Sequence, residues 1–284
     1  MIAVVSGFGA ALVFATVTLC NSRTARMIGP EQLLAWVMLI GIAITAPLAL
    51  ARGTPGGLDN EALGWMAVAG VGNVVGLLFA YSALRIGKVG VVAPLVSTQG
   101  AIAALIAIVA GEQVAPGVGV LLGVIAIGIW LAAATQEQGG GDQERQPTKA
   151  TFYGLGAAVA IGWSLYAISQ VSIGLPVVWA LLPSRLVGVL AVTIPLALRS
   201  GLRMTRQALP LVLVAGVGEV AGFALFALGA RHGIAVTAVL SSQFAAIAAI
   251  AAYFLFRERL SRVQLAGVAV IVAGVGALSG VQAA

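Results

Sequence analysis

The chain has 284 residues, 61% of them hydrophobic and 8% charged, with a mean hydropathy of +1.08. Soluble domains carry roughly 25% charged residues, so the composition excludes one, and successive apolar runs of about 20 residues suit membrane helices rather than the short alternating strands of a β-barrel. The net charge of +6 sits in arginines at the ends of those runs, which points to membrane topology rather than to nucleic acid.

Ten apolar segments follow in chain order: 2–20, 31–51, 62–84, 90–110, 117–134, 151–169, 176–198, 208–230, 234–255 and 263–281. The first lacks a basic leader and is expected to remain as a membrane helix. Between the fifth and sixth lies TQEQGGGDQERQPTKA, 135–150, whose Gly and Gln content suits a flexible linker. The linker divides the chain into halves, 1–134 and 151–284, and the halves repeat. AGVGNVVG at 69–76 matches AGVGEVAG at 215–222, PLAL recurs at 47–50 and 195–198, and GFGAA at 7–11 matches GLGAA at 154–158. After five crossings the second half starts from the opposite side of the membrane. The expected fold is therefore an all-α polytopic membrane protein of ten transmembrane helices, arranged as two inverted five-helix repeats. Such repeats mark secondary transporters that bind their substrate near the midplane. Glycine pairs at small-xxx-small spacing, Gly72/Gly76, Gly119/Gly123, Gly218/Gly222 and Gly276/Gly280, suit close helix packing.

The loops after the odd-numbered segments carry twelve of the fifteen Lys and Arg residues, the other loops only Arg52 and Arg231, and Arg185 lies within a segment. The positive-inside rule then places both termini outside and the linker in the cytoplasm, for a multi-pass protein of the cell's inner membrane.

The stretch ALRIGKVGVVAPLVSTQGAIAALIAIVAGE, 83–112, resembles the fourth-helix signature of the EamA-type drug/metabolite transporters. LGARHGIAVTAVLSSQFAAIAAIAAYFLFRERL, 228–260, resembles it again, with Leu240 where the first half has Pro94. The resemblance implies ten helices in two inverted repeats and alternating access, and a substrate drawn from amino acids, other small metabolites or amphiphilic toxic compounds, mostly moved outward. It also implies termini in the cytoplasm, opposite to the charge count. The count is followed here because its physical basis is direct.

Glu219, at the centre of the eighth segment, is the sharpest feature, because an ionisable group at mid-bilayer normally faces a wet cavity or a partner. Its repeat counterpart is Asn73. Removal from water suits such a carboxyl to proton coupling, whereas pairing with Arg185, near the middle of the seventh segment, would hold it ionised. Alternatively Arg185 holds a substrate carboxylate and Glu219 a substrate amine. Pro183 and Pro94 each free a backbone carbonyl one turn earlier. Trp163 and Tyr166 in WSLY offer an aromatic wall or a helix-packing surface. Tyr81 is expected at the membrane interface. The triplets Ser97-Thr98-Gln99 and Ser241-Ser242-Gln243 recur in the two halves. Through Ser97, Gln99, Ser241 and Gln243 they form either polar patches on a pathway or interhelical struts. Glu112 and Glu258 suit solvated or fold-related roles.

One cysteine, Cys20, and one histidine, His232, give no disulfide framework and no Cys/His metal cluster. No Gly-rich phosphate loop ending in Gly-Lys-Ser/Thr is present, so no nucleotide is expected. No clustered His/Asp/Glu set points to an enzyme. No catalytic residue, metal or cofactor is expected. The expected partners are a small-molecule substrate, membrane lipid and, as a coupling ion, protons. The leading expectation is export of amino acids or similar metabolites, and the alternative is efflux of cationic amphiphiles.

Overall fold

The computed structural model describes residues 1–56, 58–87, 89–113, 117, 119–121, 123, 124, 127, 131, 147–199, 201–256, 263, 266, 269, 270 and 273. Most of the fifth and tenth expected helices, the linker up to 146, and Glu258 lie outside these residues, as does the pair Gly276/Gly280.

Among the described residues the regular elements are all helical: α1 (Ile2–Ile28), α2 (Pro30–Arg52), α3 (Asn60–Ile86), α4 (Val89–Val109), α5 (Pro147–Gly174), α6 (Val177–Gly188), a π-helical turn (Val189–Thr193), α7 (Ile194–Arg199), α8 (Leu209–Ala230), α9 (Ile234–Ser241) and α10 (Phe244–Phe256). Seven spans among these residues are long and apolar enough to cross a membrane, with α6, the π turn and α7 forming one of them. The protein is a polytopic helical membrane protein.

The helix ends follow local chemistry. Asp59 caps α3 by accepting the Ala62 N–H at 2.8 Å. Gly29 takes a φ of 91°, open to glycine without strain, and Pro30 starts α2 immediately after it. Glu112, past the end of α4, accepts the Ala235 N–H in the first turn of α9 at 3.1 Å. It thus has a fold role, tying the end of the first half to the second.

Hydropathy places the end of the first helix at residue 20, yet α1 runs on to Ile28. Asn21, Ser22 and Thr24 are polar, but all three are buried. The hydroxyls of Ser22 and Thr24 donate to the carbonyls of Leu19 and Cys20. Arg26 donates from Nη2 to the Gly87 carbonyl at 2.7 Å. A hydropathy window registers these side chains as polar and cannot register that they face the bundle interior, where Ser22, Thr24 and Arg26 find partners.

The helices pack in a reciprocal pattern. α1 lies on α8 as α3 lies on α5, α2 meets α8 as α6 meets α3, and α9 and α10 cover α1 as α4 covers α5. Glycines permit the closest of these approaches. Gly72 and Gly76 of α3 face Ala160 and Ile161 of α5, and Gly218 and Gly222 of α8 face Val17 and Phe14 of α1.

The ninth expected segment is not one helix. It breaks at Ser242-Gln243, between α9 and α10. The Gln243 N–H bonds to Leu240, one residue tighter than an α-helix, and Ser241 and Ser242 both donate to the Ala238 carbonyl. The half with Pro94 keeps α4 continuous, so the helix breaks in the half that lacks the proline. Gly100 of α4 crosses at this break. A Cβ on Gly100 would collide with Ser242 Oγ and the Ala238 carbonyl oxygen. Gly100→Ala is expected to destabilise the protein by about 1–3 kcal/mol through overpacking. Gly64→Ala, where a Cβ meets nothing within 4 Å, is expected to leave stability intact or raised. Thermal unfolding in detergent checks both.

Candidate functional site

A cavity forms where α1, α3, α4, α5, α8 and α10 converge. Its polar lining comes from Thr18, Asn21, Tyr81, Gln99 and Glu219, and the rest is apolar. Three aromatic rings form one wall: Phe14 meets Phe223 at 5.1 Å and Phe244 at 6.3 Å between centroids, both edge to face. The cavity has a volume of ≈ 50 Å³, room for roughly a few water molecules.

The glycine motif of α8 sets Glu219 here. Gly218 and Gly222 bring α8 against α1, and Glu219, next to Gly218, lies inside the bundle, 3% exposed. Tyr81 donates its hydroxyl to Glu219 Oε1 at 3.1 Å. Glu219 Oε2 has no hydrogen-bond partner among the described residues. A buried carboxylate oxygen left unpartnered is costly. It is the polar atom in this cavity with most to gain from a bound donor.

Tyr81 is therefore not interfacial, as its place near the end of α3 suggested. It is 1% exposed and holds the carboxylate. Length misleads here: α3 runs five residues beyond Tyr81 before it ends at Ile86.

Arg185 is fully buried beside the cavity and does not line it. Its stem lies over Gly41 of α2, where a Cβ would clash with Cδ and Nε. Its Cζ stands 5.9 Å from the Phe223 ring, and Nη1 points to Met38 Sδ at 3.7 Å. Nε and Nη2 have no partner among the described residues. Arg185 and Glu219 are thus neighbours without a direct hydrogen bond. Phe223 lines the cavity on one side and meets the guanidinium on the other. Just beyond Arg185 the helix opens into the π turn, where Thr193 Oγ1 donates to the Ala35 carbonyl at 3.3 Å. Such turns recur at functional sites.

The remaining expected residues divide. Gln99 lines the cavity, and its Oε1 has no partner among the described residues. Asn73 and Gln243 are buried with unpartnered carbonyl oxygens but do not line it. Ser97 and Ser241 turn back on their own helices, to the Pro94 and Ala238 carbonyls. Tyr166 packs its ring on Trp65 at 5.6 Å. Trp163 is 47% exposed and does not line the cavity, so it forms no wall here; its neighbour Ser164 faces inward and bonds to the Ala69 carbonyl. Asn21 lines the cavity without having stood out in the sequence. Its signal was present in Asn21-Ser22 continuing the helical period past an apolar run, but a hydropathy boundary at residue 20 hid it.

The Tyr81–Glu219 bond predicts coupling. In a double-mutant cycle of Tyr81→Phe and Glu219→Gln, the unfolding free energies are expected to depart from additivity by roughly 1–3 kcal/mol. Additivity within about 0.5 kcal/mol would show that the bond carries no stability.

No curated protein matches the sequence. A solved crystal structure superposes with a TM-score of 0.71 at 20% identity, covering 99% of this chain and 96% of that one; at that identity the likeness concerns the fold alone. A family model described as the EamA-like transporter family matches residues 1–134. The match covers the first half and includes the 83–112 stretch on which the resemblance rested. Residues 1–134 thus match the EamA-like transporter family, the family that the 83–112 stretch resembles.

Proposed function

We propose that the chain is a secondary carrier that exports amino acids or similar small metabolites. The observation that carries this reading is the unpartnered Glu219 Oε2 in a cavity otherwise walled by aromatic and aliphatic side chains. A carboxylate in that setting recognises an ammonium group. Arg185, with two unpartnered nitrogens behind Phe223, supplies the complementary charge for a substrate carboxylate once the Phe223 ring moves aside. Asn21 and Gln99 add neutral amide groups.

The units are residues 1–134 and 151–284, five helices each, inverted about the membrane plane and joined by the 135–150 linker. The duplicated AGVG segments and the reciprocal helix contacts support this arrangement. The cavity is too small for a metabolite as it stands, which suits an occluded state reached between inward and outward openings. Rocking of the two units about the Gly100–Ser242 crossing would open it to either side. A carrier of this kind needs no catalytic group. Glu219, when not engaged by substrate, can carry a proton, so an ion gradient can drive export.

A second reading is efflux of cationic amphiphiles. The three-ring wall and the position of Arg185 outside the lining favour it.

Reconstituted in proteoliposomes, the protein is expected to take up members of a radiolabelled amino-acid panel saturably. Glu219→Gln is expected to abolish uptake, and an imposed proton gradient to change its rate. Uptake of cationic amphiphiles alone would select the second reading, and non-saturable flux without counterflow would indicate a channel. For topology in the inner membrane, both termini outside is the orientation proposed. A reporter active only in the cytoplasm is expected to be silent at the C-terminus and active within 135–146; the reverse pattern overturns the orientation.

A further inference from the structure

We propose that a groove at the membrane face opposite the linker binds the phosphate headgroup of an anionic phospholipid. The groove has a volume of ≈ 630 Å³ and is bounded by the end of α2, the turn between α5 and α6, and the end of α8. Two arginines line it, Arg52 and Arg231, and no acidic side chain does.

Those two are the only cations that the sequence places in the loops on that side of the membrane; the opposite side has twelve. That both converge on a single groove is what a topological charge bias does not explain. Arg231 is also held in position. Its Nε donates to the Ser172 carbonyl and its Nη2 to the Leu175 carbonyl, each at 2.6 Å. These bonds fix the guanidinium plane at the groove wall. Arg52, the last residue of α2, is exposed and supplies a second charge at the groove.

The apolar part of the groove selects a lipid over a free anion. Leu48, Ile173 and Leu228 are 54%, 60% and 43% exposed beside the arginines. A phosphate ion has no use for that surface, whereas an acyl chain covers it. The groove also lies at helix ends, the depth of lipid headgroups. The proposal stands apart from the central cavity and does not depend on what is transported.

The test is lipid binding to purified, delipidated full-length protein, followed by native mass spectrometry. Phosphatidylglycerol is expected to bind more tightly than phosphatidylcholine, with inorganic phosphate unable to displace it. Arg52→Gln is expected to weaken phosphatidylglycerol binding about fivefold, the ~1 kcal/mol that one basic residue contributes near an anionic headgroup. Arg52→Lys is expected to retain most of it. Arg199→Gln, an exposed charge on the linker side, serves as the control and is expected to leave it unchanged. Equal binding of the two lipids overturns the site, as does an equal loss in Arg52→Gln and Arg199→Gln. Displacement by millimolar phosphate would make the groove a free-anion site and overturn the lipid assignment.

Discussion

In hydrocarbon, backbone and side-chain polar groups have only one another as partners, and each one left unpaired costs free energy. Most of this chain obeys that constraint by local means. Hydroxyls of Thr18, Thr24, Ser169, Ser184, Ser241 and Ser242 return to carbonyls three or four residues back on their own helices. Gln32 and Trp36 bind the backbone of the loop before α8, at Gly201 and Arg203. Against this background the exceptions are informative. Unpartnered atoms of Asn21, Asn73, Gln99, Arg185, Glu219 and Gln243 belong to helices of both halves and lie in the interior. Where a membrane protein leaves polar atoms unsatisfied at depth, a ligand or water is the natural partner.

The same constraint explains the glycines. Helices in lipid gain no hydrophobic drive from meeting each other, so close backbone approach and packing must hold them. Gly72 and Gly76 against α5, with Gly218 and Gly222 against α1, achieve that in duplicate. Gly41 has a different task. The space it leaves is filled by the Arg185 side chain, so a glycine in α2 accommodates a buried charge from α6. Gly188 does likewise for Met38, which approaches Arg185 Nη1 through its sulfur. The charge site is built from backbone space as much as from polar side chains.

The fold was largely legible because its controlling signal is length and hydropathy, and both are local. Seven expected spans recur as helices with ends shifted by a few residues, the end of α1 by eight. The site was legible where the signal was a charge in the wrong solvent: Glu219 and Arg185 stood out for that reason and are both buried. It was illegible where rotation about the helix axis decides. Trp163 and Ser164 are adjacent in sequence, yet one is half exposed and the other wholly buried. Tyr81 looked like an interface residue because sequence distance from a loop stood in for depth. The helix break at Ser242 was hidden for another reason. Proline is the usual sign of a broken helix, whereas here the Ser241 and Ser242 hydroxyls donate to the Ala238 carbonyl and the Gln243 amide to that of Val239, both on the preceding turn.

Among the described residues the two halves make matching helix contacts but differ in chemistry. Glu219 has Asn73 as its counterpart, Arg185 has an apolar one, and the continuous α4 is matched by the broken pair α9 and α10. Both charges and the break belong to the second half, while the tyrosine that binds the carboxylate comes from the first. The first half contributes a continuous helix with Gly100 at the crossing; the second contributes the interrupted helix that meets it there. If the two units rock about this crossing, Tyr81 and Glu219 lie on opposite sides of the moving boundary. Their hydrogen bond would then be made in one state and stretched in the other, which couples the state of the carboxylate to the position of the repeats. In such a cycle, direction would come from an asymmetric pair of side chains rather than from the packing of the units.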